Sequence, residues 1–141
     1  DSQTNTLNIP SEHMKSRNNF RCPLPTQAAE GLNTLKQITG GNPSDYIFVG
    51  RNEKPISDAT ARMALQKILK DKTTVHGFRT LFNRVASKMN RFDTEKIEAQ
   101  LTHAFTATDI RKTYLGGEDY LDDRRIIVQA YADWCDKQVS P

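Results

Sequence analysis

Between His76 and Met89 the apolar residues Phe78, Leu81, Phe82, Val85 and Met89 recur at the three- and four-residue intervals of one helix face. A chain carrying that stripe needs an opposing layer to cover it, so the stripe predicts a helix near the centre of the fold. His76, Arg79 and Asn83 fall on the adjoining face, beside the stripe and not opposite it. An imidazole and a guanidinium about one turn apart on a rigid element can grip an anion. Taken alone, the same His-x-x-Arg spacing also suits an ordinary helix start, so its meaning depends on the flanking chain.

The flanking elements are readable in order. Thr6-Leu7-Asn8-Ile9 alternates polar and apolar residues, and Phe20-Arg21-Cys22-Pro23-Leu24 is its natural partner. The polar residues 10–19 between them predict a β-hairpin whose tip displays Lys15 and Arg17. Thr26 is expected to cap a helix to about Ile38, with Ala28, Leu32, Leu35 and Ile38 inward and Gly40-Gly41 as the stop. Tyr46-Ile47-Phe48-Val49 reads as a strand or an extended core segment. Ser57 predicts a second cap, with a helix to about Leu69 that turns Ala61, Ala64, Leu65 and Ile68 inward.

Beyond the central helix, Asp93 or Thr94 opens a helix through Leu101 that delivers His103 just past its end. A short helix from Thr108 or Asp109 carries Ile110 and Tyr114, and Gly116-Gly117 ends it. The last helix starts near Asp119 with Glu118, Asp119, Asp122 and Asp123 in or beside its first turns, where the helix dipole favours acidic groups. Its apolar side holds Tyr120, Ile127, Val128, Tyr131, Trp134 and Cys135, with Arg124 among them. The expected class is mainly α with a small antiparallel β-hairpin (α+β).

At 141 residues the chain is long enough for one domain with a core. No stretch approaches the ~18 apolar residues of a membrane span, and the polar start without Met suggests an excised fragment lacking a signal peptide. The net charge of +3 is unevenly spread: residues 1–114 carry 17 Lys/Arg against 11 Asp/Glu, and residues 115–141 carry 3 against 6. A basic body with an acidic tail fits a polyanion-binding surface joined to a protein-docking helix. The two cysteines, Cys22 and Cys135, and the three histidines show no metal-ligand spacing, so both thiols are read as reduced and the compartment as cytoplasmic.

Several stretches carry a resemblance: Ile9-Pro10-Ser11-Glu12-His13-Met14-Lys15, Cys22-Pro23-Leu24, His76-Gly77-Phe78-Arg79, Ile97-Glu98-Ala99-Gln100-Leu101-Thr102-His103, and Tyr114 followed by Asp119-Tyr120-Leu121-Asp122-Asp123-Arg124-Arg125. In this order the chain resembles the catalytic domain of the tyrosine recombinases, the phage integrases, and most of all those of prophages and genomic islands. The resemblance spans nearly the whole chain. It implies that residues 1–141 are a carboxy-terminal catalytic domain truncated at its start, with an upstream catalytic Arg and an amino-terminal DNA-clamping domain lying outside the chain. The fragment alone is therefore expected to bind DNA weakly and cleave it poorly.

The resemblance also implies a chemistry that suits these residue types. Transesterification at a phosphodiester passes through a pentacoordinate phosphorane with extra negative charge, which preorganised cations stabilise more than they stabilise the substrate. Arg79 would clamp non-bridging oxygens. His76 would relay a proton or donate to the phosphate, and His103 would donate to an oxygen. Tyr114 would attack phosphorus to give a 3′-phosphotyrosyl intermediate, and Lys15 would protonate the leaving 5′ oxygen. Tyr120 is the rival nucleophile, and Arg17, Lys70 and Lys72 compete with Lys15. Arg17, Lys72 and Arg111 are expected to bind DNA.

No metal or other cofactor is implied. The implied partners are double-stranded attachment sites, a homotetramer on DNA in the full-length protein, and a host bending factor or excisionase; the fragment alone is compatible with a monomer. Residues 118–141 would dock either on their own domain or on a neighbouring protomer, with Gly116-Gly117 as a hinge. Two alternative functions share the fold: a DNA-binding remnant without chemistry, and a strand transferase of the type IB topoisomerase kind.

Overall fold

The computed structural model describes residues 3–39, 46–50, 54–70, 72–102 and 119–139. Strands β1 (Thr6–Ile9) and β2 (Phe20–Pro23) pair antiparallel, with Thr6 opposite Pro23 and Ile9 opposite Phe20. Five α-helices are described: α1 (Thr26–Thr39), α2 (Asp58–Leu69), α3 (Val75–Lys88), α4 (Thr94–Gln100) and α5 (Leu121–Val139). The expected α+β class, mainly helical with one hairpin, is what the chain adopts. No helix among the described residues is long and apolar enough to cross a membrane.

The chain divides into two units, residues 1–26 with 82–141, and residues 27–81. In the first, α5 lies against α4 and β2. Its core is Phe82, Ala86, Ile97, Leu101, Ile127 and Val128, with Phe92 and Tyr131 packed on it. The Phe82 and Tyr131 rings meet edge to face with centroids 5.1 Å apart, and Trp134 stacks on Tyr131 at 6.0 Å. Thr6 is buried, donating its hydroxyl to the Thr4 carbonyl (3.0 Å) and accepting from Arg125 Nη2 (3.1 Å), while Leu7 faces solvent. The 10–19 connection is a 3-10 turn, Ser11–His13, then a turn through Arg17 at φ 53°; Asn19 Oδ1 accepts from the Ser11 amide at 2.9 Å.

The second unit has helices where the capping signals place them but little core. Ser57 caps α2 by accepting from the Thr60 amide, as its position predicts. None of the residues expected to face inward from α2 is buried: Ala61 and Ala64 are exposed, Ile68 is 73% exposed and Leu65 is half-buried. On α1, Ala29 is buried in place of the expected Ala28, Leu32 and Leu35, which are half-buried, and Ile38 is exposed. Residues 46–49 make one isolated bridge, Val49 with Pro55, and are exposed instead of forming a core segment. Periodicity selects the face a helix would bury; burial itself needs a covering layer, and among the described residues of 27–81 only Ala29 is buried. The Gly40-Gly41 stop lies outside the described residues.

The central stripe divides in the same way. Phe82 and Val85 are buried as expected, joined by Ala86, whereas Phe78 and Leu81 are 42% and 39% exposed. Met89 lies just past the end of α3 and is half-buried, its amide donating to the Val85 carbonyl. Ile97 and Leu101 are core residues as predicted. On α5 the expected Ile127 and Val128 are buried, with Ala130 beside them, and Tyr131, Trp134 and Cys135 are half-buried. Tyr120 departs from the expected stripe: it precedes the helix at φ 50°.

Candidate active site

His76 and Arg79 stand in the first turns of α3. Thr74 caps that end, its Oγ1 accepting from the Gly77 amide at 3.1 Å, so one of the helix's orphan donors is satisfied. Thr80 donates to the His76 carbonyl at 3.5 Å. A Cβ at Gly77 would fall 2.2 Å from Thr73 Oγ1, so glycine between His76 and Phe78 lets the preceding turn close against the helix. His76 is exposed and Arg79 half-buried. Asn83, on the same face by sequence, is already used: its Nδ2 donates to Glu98 Oε1 at 2.7 Å.

The other candidates are distributed through the chain. Lys15 and Arg17 are exposed in the hairpin connection of the first unit, and Lys72 is exposed just before α3 in the second. His103, Arg111 and Tyr114, together with the Gly116-Gly117 hinge and the short helix expected around Ile110, lie outside the described residues. The chain on either side of them is described, and both flanks are fixed in the first unit. Leu101 is in the core, and Asp119, Tyr120 and Arg124 fasten the start of α5.

That fastening is the part of the site that sequence reading missed. Arg21 Nε donates to Asp119 Oδ2 at 2.8 Å, and Lys96 Nζ reaches Asp123 at 2.9 Å and Asp93 at 3.2 Å. Arg124 is 1% exposed, with Nη2 donating to the Arg21 carbonyl, its guanidinium 4.8 Å from the centre of the Phe20 ring, and Asp119 3.9 Å away. Burial pulls the Arg124 guanidinium below its ordinary range, partly offset by Asp119. Burial would raise the Asp119 carboxyl, but the Arg21 hydrogen bond and the charges of Arg21 and Arg124 outweigh it and hold Asp119 below the usual carboxylate range. The Asp119 hydrogen bond raises Arg21, and the Asp123 and Asp93 hydrogen bonds raise Lys96. Arg124 was visible in the sequence as a cation on an apolar stripe; a pairing 98 residues apart, Arg21 with Asp119, had no local signal.

Two of the three described tyrosines are otherwise engaged. Tyr131 is pushed up to about 12 by burial and by its contact with Cys135, so it is a poor source of phenolate at neutral pH. Tyr120 donates its hydroxyl to Glu95 Oε1 at 3.3 Å, where a phenolate would be repelled. Tyr46 is 53% exposed in the second unit.

A model of the phage integrase family matches residues 1–115. The chain belongs to the phage integrase family. Among curated relatives, the prophage integrase IntZ of Escherichia coli (strain K12) is 37% identical over 93% of this chain and 32% of its own length. The prophage integrase IntS of the same strain is 33% identical over 99% of this chain and 36% of its own. The integrase of Enterobacteria phage P4 is 34% identical over 87% and 28%. This integrase-family chain thus spans about a third of the length of the curated relatives it matches. No solved structure matches it with significance.

Proposed function

We propose that these residues are part of the catalytic domain of a tyrosine-type site-specific DNA recombinase, which integrates and excises a prophage or genomic island by cutting and rejoining DNA. The observation that carries the reading is His76-Gly77-Phe78-Arg79 at the capped start of α3 in a phage integrase family chain. An exposed imidazole and a half-buried guanidinium about one turn apart suit a phosphodiester. The engagement of Tyr120 and Tyr131 further favours Tyr114 as nucleophile.

In the proposed step the Tyr114 oxygen attacks phosphorus and its proton passes to a neighbouring base. The bond from phosphorus to the 5′ oxygen breaks, and Lys15 supplies a proton to that oxygen, leaving a 3′-phosphotyrosyl bond and a free 5′-hydroxyl. Arg79 holds two non-bridging oxygens, with His76 and His103 donating to the charge that develops. Rejoining reverses these transfers with a second 5′-hydroxyl as attacker, so the phosphotyrosyl bond conserves the energy of the one broken. Arg17, Lys72 and Arg111 bind the DNA backbone, and double-stranded attachment sites, a tetramer on DNA and a bending factor or excisionase are the proposed partners. The proposed compartment is the cytoplasm.

The test is a duplex nicked near the cleavage point, incubated with the full-length protein that contains these residues. A covalent protein–DNA adduct, abolished in Tyr114→Phe and strongly slowed in Arg79→Ala, is expected. Salt-sensitive binding with no adduct would replace the enzyme by a DNA-binding module.

A further inference from the structure

We infer that Arg124, Arg21 and Asp119 form a positioning latch, which holds the chain leaving the nucleophile in register with the hairpin that carries the leaving-group acid. This rests on the reading of Tyr114 and Lys15 given above. A guanidinium at 1% exposure carries a desolvation cost that an apolar side chain would avoid. What Arg124 adds to simple packing is direction: its hydrogen bond to the Arg21 carbonyl and its seat over the Phe20 ring set one position of α5 against β2. Asp119 completes the latch by joining Arg21 and by accepting from the Leu121 amide at 3.2 Å. Tyr120 sits between them at φ 50°, a left-handed geometry uncommon for an aromatic residue, and its hydroxyl is held by Glu95. Such a backbone persists where its surroundings over-determine it.

The position of the latch in the chain gives it leverage. Asp119 follows Tyr114 by five residues, so the two Cα atoms are at most ~18 Å apart. Arg21 follows Lys15 by six residues, at the head of the strand that ends the hairpin. Tyr120 with Glu95 and Lys96 with Asp123 tie the same point to α4, whose end leads to His103. One cluster therefore fastens the chain segments leading to three of the proposed catalytic groups. The Arg21 and Asp119 side chains are 55% and 34% exposed, so their pairing can be removed without opening the core.

The experiment uses Arg21→Met, Asp119→Asn and the double variant in the full-length protein, because truncating Arg124 risks unfolding. Asn keeps an acceptor for the Leu121 amide while removing the charge. Single-turnover adduct formation on the nicked duplex, at saturating DNA, is expected to slow at least about fivefold in each single variant. DNA affinity should stay unchanged, any fall in thermal midpoint should leave each variant folded at the assay temperature, and the double variant should be no slower than the worse single one. A 5′-bridging sulfur, which leaves as thiolate without needing a proton, should narrow the deficit. Rates within twofold of the parent, losses that multiply in the double variant, a deficit that follows DNA affinity, or one unmoved by the sulfur substitution would overturn the latch. An adduct retained in Tyr114→Phe would instead sink the nucleophile assignment beneath it.

Discussion

Ile126 and Ile127 are neighbours of identical chemistry, and truncating each to Ala asks whether the described core is the one that holds the molecule together. Ile127 is 1% exposed and packs with Phe82, Ala86, Ile97, Leu101 and Val128; Ile126 is 60% exposed. Ile127→Ala loses the transfer free energy of the removed carbons and leaves a cavity that helices on two sides cannot fully close, costing about 3–4 kcal/mol. Ile126→Ala removes a side chain of which about two-fifths is covered, for less than about 1 kcal/mol. Trp134, the single tryptophan, stacks on Tyr131 beside this core and reports its loss. In urea unfolding followed by Trp134 fluorescence, the Ile127→Ala midpoint should fall by about 2 M, and the Ile126→Ala midpoint by less than about 0.5 M. Equal shifts, or a larger one for Ile126, would refute the assignment of the core face of α5.

Tyr120→Phe and Tyr131→Phe should both leave the covalent DNA adduct intact; loss of the adduct in Tyr131→Phe alone would move the nucleophile to α5. In a spectrophotometric titration Tyr131 should ionise at about 12, and Cys135→Ala should lower that value. Because Asp119 is held below its ordinary value in the folded chain, its pairing contributes stability above the unfolded carboxylate range, near ~3.9, and loses it as pH falls through the depressed folded value. Asp119→Asn should therefore lower stability modestly at neutral pH and flatten the acid limb of a stability-against-pH curve, so that the two proteins converge at low pH. Thr74→Val removes the α3 cap and should cost about 1 kcal/mol, seen as faster amide exchange at Gly77. Arg79→Lys keeps the charge but loses the planar fork, and adduct formation should slow by about tenfold or more.

Local order was written into the sequence because its causes are local. The hairpin pairing of Thr6–Ile9 with Phe20–Pro23, the Ser57 cap, and the starts of α3 and α4 follow from alternation, capping and turn chemistry within a few residues. That His76 and Arg79 lie about one turn apart on a single helix was legible for the same reason. Burial was not, and Phe78, Leu81 and Ile68 show why. Each lies on a correctly phased apolar face, but phase names the side that would be covered, and only the folded chain supplies the cover. The latch was hidden for a related reason: Arg21 and Asp119 are 98 residues apart, and no periodicity links them. The sequence by itself determined the hairpin and the helices of the described residues, and which side of each helix is apolar. Tertiary structure decided which of those sides are buried, and it brought Arg21, Asp119 and Arg124 together, because long-range contact depends on the path of the whole backbone.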